Sequence, residues 1–99
     1  MNSDIRLINS EKISRYGSDS IIYGDKIYVF FGYNGKERLS DILSIDLQTH
    51  KIQVEKQTDL KCDCHKVNLY GSHAIISMGG DGYTWFNRLI KYDISNHKY

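Results

Sequence analysis

The chain has 99 residues, 40% of them apolar and 25% charged, and thirteen Lys+Arg against twelve Asp+Glu leave a formal net charge of +1. This length supports one small domain, burying roughly 60–68% of its unfolded surface. The even charge balance excludes a strongly basic nucleic-acid module and an acidic disordered tail; no apolar run reaches the roughly 18 residues of a membrane-spanning helix, and Met1-Asn2-Ser3-Asp4 lacks the basic flank and apolar stretch of a secretory leader. Cys62 and Cys64 stand one residue apart and make no disulfide framework, and no Asn-x-Ser/Thr acceptor occurs. A soluble protein of a reducing, cytoplasmic interior is expected, with no nucleic-acid or membrane partner.

Thirteen Ile and eight Tyr stand beside no Pro and scarcely any Ala. β-Branched and aromatic side chains pack well on pleated, half-buried surfaces, so an all-β, antiparallel fold is expected. In chain order, Asp4-Ile5-Arg6-Leu7-Ile8 alternates as a strand of its own. Residues 18–23, 26–31, 41–47 and 52–57 then read as a four-stranded meander, and residues 66–70, 73–78 and 89–94 as a three-stranded one. Tight turns are expected at Gly24-Asp25 and Gly71-Ser72. Leu43, Ile45 and Leu47 alternate with Ser44 and Asp46, and Ile90, Tyr92 and Ile94 alternate with Lys91 and Asp93 in the same phase, so each strand buries one face.

The two meanders are copies of one unit. Laying residues 23–52 on residues 70–99 without a gap gives identities at Tyr23/Tyr70, Gly24/Gly71, Gly32/Gly79, Gly35/Gly82, Asp46/Asp93, His50/His97 and Lys51/Lys98. A period of 47 residues falls in the range of repeat architectures, where each repeat is one supersecondary unit.

These residues resemble the kelch-repeat β-propellers. Arg15-Tyr16-Gly17-Ser18 looks like the Arg-x-Gly-His opening of a blade, Ile27 to Gly35 like its glycine-ended strand with Gly32 and Gly35, and Asp41 to Asp46 like its third strand. The second unit supplies the glycine doublet Gly79-Gly80 and the Tyr92-Asp93 pair. Departures are plain: Phe31 stands where the first unit should carry one glycine of its doublet, Ser18 replaces the His, Ile52 and Tyr99 hold the Trp positions, and Cys62-Asp63-Cys64-His65 replaces the second opening. Phe31 is therefore expected to alter the backbone locally.

The resemblance implies a partial propeller. Residues 1–12 are an orphan strand of a neighbouring or closing blade, residues 13–60 a first kelch-like repeat, and residues 61–99 a second repeat lacking its last strand. Two blades cannot close a ring, which typically takes four to eight. The chain is thus expected to be a truncated or partial member, or to self-associate.

Candidate sites weigh unequally. Cys62, Cys64, His65 and His73 are zinc-type ligands, but the spacing departs from that of a structural knuckle, and no metal or other cofactor is expected. Asp46 and Asp93 read as turn caps, and His50 and His97 as solvated turn residues, because each recurs at the same place in its unit. No nucleophile elbow, phosphate loop or dinucleotide fingerprint occurs. The segment from Gly82 to Arg88 differs in kind: it carries Tyr83, Trp85, Phe86 and Arg88, and its counterpart in the first unit carries Arg38. Loops hold function more often than strands, and Trp, Tyr and Arg dominate binding hot spots. A non-catalytic protein-interaction module binding its partner through inter-strand loops is the expected function. The alternative is a piece of a propeller enzyme, such as a copper oxidase or sugar epimerase, whose active site lies mainly in other blades.

Overall fold

The computed structural model describes Ile13 and residues 15–58, 65–77 and 89–96. Within them run seven strands: β1 (Asp19–Tyr23), β2 (Lys26–Tyr33), β3 (Arg38–Asp46), β4 (Ile52–Gln57), β5 (Lys66–Tyr70), β6 (His73–Ser77) and β7 (Leu89–Asp93). β1 to β4 form one antiparallel meander and β5 to β7 another, each with sequence neighbours paired in space. The all-β expectation holds. The strand Asp4–Ile8, the Cys62–Cys64 pair, His97 and the doublet Gly79-Gly80 lie outside the described residues.

The two sheets share one register. Ile22 pairs with Ile27 as Leu69 pairs with Ala74, and Lys26 pairs with Asp46 as His73 pairs with Asp93, each correspondence offset by 47 residues. The corners match too: the Leu47 amide donates to Asp25 O at 2.9 Å, and the Ile94 amide to Ser72 O at 3.0 Å. The tight turns fall at Gly24-Asp25 and Gly71-Ser72, and Gly24 and Gly71 take φ of 65° and 62°. Those left-handed values explain why both units carry glycine there.

Most strand ends fall where the alternation puts them, but the β2–β3 hairpin is longer than expected. Tyr33 pairs with Arg38 and Gly32 with Leu39, beyond a register shift between Phe30 and Gly32. Phe31 sits in that shift at φ 57°. A left-handed aromatic residue is the local price of a bulge that lets the ladder continue. The expected alteration at Phe31 is therefore present, and its ring is fully buried against Phe30 and His65.

The core lies between the sheets. Side chains two apart on a strand share a face, so Tyr28 and Phe30 on β2 and Ile42 on β3 point together toward the second sheet. Val67, Ala74, Ile76, Tyr92 and Ile94 meet them, with Ile21, Tyr23 and Ile90 partly buried at the margin. Each large side chain so buried contributes about 1.5–3 kcal/mol. Two polar contacts stitch the same seam: the Val67 amide donates to the Asp19 carboxylate at 2.7 Å, and buried His65 donates its Nε2–H to Phe30 O at 2.7 Å. Burial pushes the Tyr92 hydroxyl up to about 12, with smaller contributions from Glu55, Tyr28 and Asp93, and it raises Tyr28 as well. No helix among the described residues is long and apolar enough to cross a membrane.

Candidate interaction site at the end of the first sheet

The β2–β3 turn is built by Asn34. Its side-chain oxygen accepts from the amides of Lys36 and Glu37, both at 2.9 Å, while Gly35 turns the chain at φ 97°. Such a local side-chain turn is what Asn favours over continuing a ladder. It delivers Tyr33 and Arg38 as a cross-strand pair, with the Arg38 guanidinium carbon 5.3 Å from the Tyr33 ring centroid. The ring's negative face attracts the cation and so favours this position of the guanidinium.

Beneath this pair the opening segment is tied to the hairpin. Tyr16 and Tyr33 exchange both backbone bonds, at 2.7 and 2.8 Å. Gly32 permits this approach: a Cβ there would lie 2.9 Å from Tyr16 O, and the residue sits at φ 118°. Next to it Arg15 donates from Nη1 to Phe31 O at 2.9 Å and to Asp41 Oδ1 at 2.7 Å, with Nη2 to Oδ2 at 3.3 Å. The Arg15 side chain is only 4% exposed, so the two carboxylate oxygens and the carbonyl satisfy a charge that burial would otherwise penalise. The motif residue Arg15 thereby pins the bulge at Phe31. Gly17, also a motif position, is exposed at φ 64°.

Between the turn and the end of β4 opens a cleft of about 200 Å³ lined by Glu37, Arg38, Leu39, Ser40, Asp41 and Gln57. Its β4 side is fixed by Thr58, whose amide and hydroxyl both donate to Ser40 O at 2.8 Å. The lining mixes both charge signs with a hydroxyl and an amide. Among the described residues no group of three or more His, Cys, Asp or Glu is placed to hold a metal ion.

The structure thus brings Arg15, Gly32, Gly35 and Arg38 to one end of the first sheet. Arg38 stands on the first position of β3 rather than in a loop, because the bulge prolongs the hairpin. Asp46 stands at the other end of β3, and Asp93 at the equivalent end of β7 in the second sheet, each as a turn cap. The Thr49 and Gln48 amides, at 2.9 and 2.8 Å, hold the Asp46 carboxyl below its ordinary range, and the Asn96 side chain, at 2.8 Å, does so for Asp93. Tyr92 is a core residue with 0% exposure. His50 sits in the Asp46 turn at φ 64°, and His73 lies 3.7 Å from Asp93. Tyr83, Trp85, Phe86 and Arg88 lie outside the described residues. Sequence reasoning missed Tyr33 as the platform for Arg38 and Asp41 as the partner of Arg15. The direct opposition of Tyr33 and Arg38 needs the bulge to be known first.

No protein-family model matches the chain, and no curated protein matches it.

Proposed function

We propose that the chain is a partial kelch-type β-propeller, one four-stranded and one three-stranded blade, acting in the cytoplasm as a non-catalytic protein-interaction module. The observation that carries this reading is the residue-for-residue correspondence of the two sheet registers at an offset of 47, since blades are repeats of one meander stacked face to face. The partner surface is the sheet end where the β2–β3 turn projects. Arg38 held on Tyr33 supplies an ordered cation, and Tyr83, Trp85, Phe86 and Arg88 of the equivalent segment supply further residue types that dominate hot spots.

The test is affinity capture with the intact chain, followed by titration of the purified captured protein. Replacing Arg38 and Trp85 by Ala should weaken binding at least about tenfold, a loss of about 1.4 kcal/mol. Tyr70→Ala, at a residue 76% exposed on the far face of the second sheet, should leave binding unchanged. Binding insensitive to the first pair, or lost equally with Tyr70→Ala, sinks the reading.

A further inference from the structure

The turn between β2 and β3 holds the chain's one Asn-Gly step: Asn34 precedes Gly35, whereas the other five asparagines precede Ser, Leu, Arg or His. Both residues of the step are exposed. The Asn34 amide donates to Glu37 O at 3.2 Å and closes the turn, while the Asn34 side-chain oxygen accepts from the Lys36 and Glu37 amides, both at 2.9 Å. To reach those two amides the side chain folds back over the peptide bond that joins Asn34 to Gly35.

Three features of this arrangement favour attack of the Gly35 nitrogen on Cγ of Asn34. Access is open: a Cβ at Gly35 would meet nothing within 4 Å, and the glycine has no side chain of its own to screen its nitrogen. The nucleophile is not engaged, since among the described residues the Gly35 amide donates no hydrogen bond. The two amides on Oδ1 stand where negative charge develops as Cγ becomes tetrahedral, so they stabilise the attack more than the resting side chain.

We propose that Asn34 is a self-modifying site, at which the native turn promotes deamidation. Hydroxide takes the Gly35 amide proton, the nitrogen bonds to Cγ, the Cγ–Nδ2 bond breaks, and the leaving nitrogen takes a proton from water and departs as ammonia. The product is a cyclic imide, which water opens. Breaking the new N–Cγ bond leaves an aspartate at position 34; breaking the original peptide C–N bond leaves an isoaspartyl link, in which the main chain runs through Cβ and Cγ. One water is consumed and one ammonia released, with no change of oxidation state. Either product takes the formal net charge from +1 to 0. The aspartate still accepts from both amides, now in charge-assisted bonds. The isoaspartyl link adds a main-chain carbon between Tyr33 and Arg38 and so disturbs their cross-strand pairing.

The test incubates the intact chain in mildly alkaline buffer made with heavy-oxygen water and maps it by peptide mass spectrometry, beside a synthetic peptide of residues 31–40 that lacks the sheet. An Asn34→Asp variant marks the chromatographic position of one product. One heavy oxygen should enter residue 34, in both the aspartate and the isoaspartyl form. Loss of Asn34 should be at least about tenfold faster than loss of Asn68 or Asn96, which are exposed too but are followed by residues with side chains. It should also be faster in the intact chain than in the peptide, because only the intact chain holds the two donors on Oδ1. Loss that is equal or slower in the intact chain means that the turn shields Asn34, and overturns the proposal. Retention of Asn34, loss no faster than at Asn68 or Asn96, or a product without heavy oxygen overturns it equally.

Discussion

The rings of Phe30 and Tyr92 meet edge to face, centroids 6.0 Å apart and planes at 81°, and this contact joins the two sheets at the centre of the core. Phe30 belongs to the second strand of the first sheet and Tyr92 to the third strand of the second, so the pair couples the stability of the sheets. Both rings are fully buried, and Phe30→Ala should cost about 3–5 kcal/mol and unfold both sheets in one transition. Near-ultraviolet dichroism and amide exchange at β6, followed in the same urea titration, check this; separate transitions would show that the sheets are independent.

Alkaline pH should act through Tyr92. Its native pKa, pushed up to about 12 chiefly by burial, lies above the ordinary tyrosine value, so the native state holds the proton more tightly than the unfolded state. Stability should be unaffected below about pH 10 and fall as pH rises from there toward 12. Tyr92→Phe should remove most of that slope, with Tyr28, also raised, leaving a remainder. Urea midpoints across the range, with tyrosinate absorbance as the second probe, measure it.

Phe31 should reverse the usual order of substitutions. Truncation to Ala loses a buried ring and costs about 3–5 kcal/mol. Truncation to Gly loses the same ring but relieves the left-handed backbone at φ 57°, which is worth about 1 kcal/mol. Phe31→Gly should therefore be the more stable variant. An Ala variant as stable as the Gly variant would show that the backbone is unstrained there.

Arg15 and Asp41 form the ion pair under the hairpin, with side-chain exposures of 4% and 15%. Removing one partner strands a buried charge, so Arg15→Ala should cost about 3–5 kcal/mol. Lys26→Ala, which breaks a 3.9 Å pair to Glu55 at a lysine 33% exposed, should cost less than about 1 kcal/mol. Comparable losses from the two, in thermal or urea unfolding, would contradict the pinning role given to Arg15.

Gly32→Ala should be far more damaging than Gly24→Ala. The first places a Cβ 2.9 Å from Tyr16 O at φ 118°; the second, at φ 65°, meets nothing within 4 Å. A cost of about 1 kcal/mol is expected at Gly24, from the left-handed backbone alone. At Gly32 the Tyr16–Tyr33 bridge must open, adding roughly 1–3 kcal/mol. Proteolysis near Arg15 and Tyr16, compared between the variants, reports the bridge directly.

The sequence by itself determined the strands, their antiparallel order, the 47-residue period and the glycine turns. These rest on local physics: alternation with period two, β-branched side chains, and left-handed positions that select glycine. Ile42 and Leu43 show where that information ends. Adjacent on one strand and both buried, they point to opposite faces, and only the packing of the second sheet decides that Ile42 joins the shared core. The pairing of Arg15 with Asp41, 26 residues apart, and the seat of Arg38 on Tyr33 follow from the register shift at Phe31; the sequence marks that residue as irregular but does not show the longer hairpin beyond it. Register slips and cross-sheet contacts are settled by the summed burial of many side chains at once, and so only the tertiary structure could decide them.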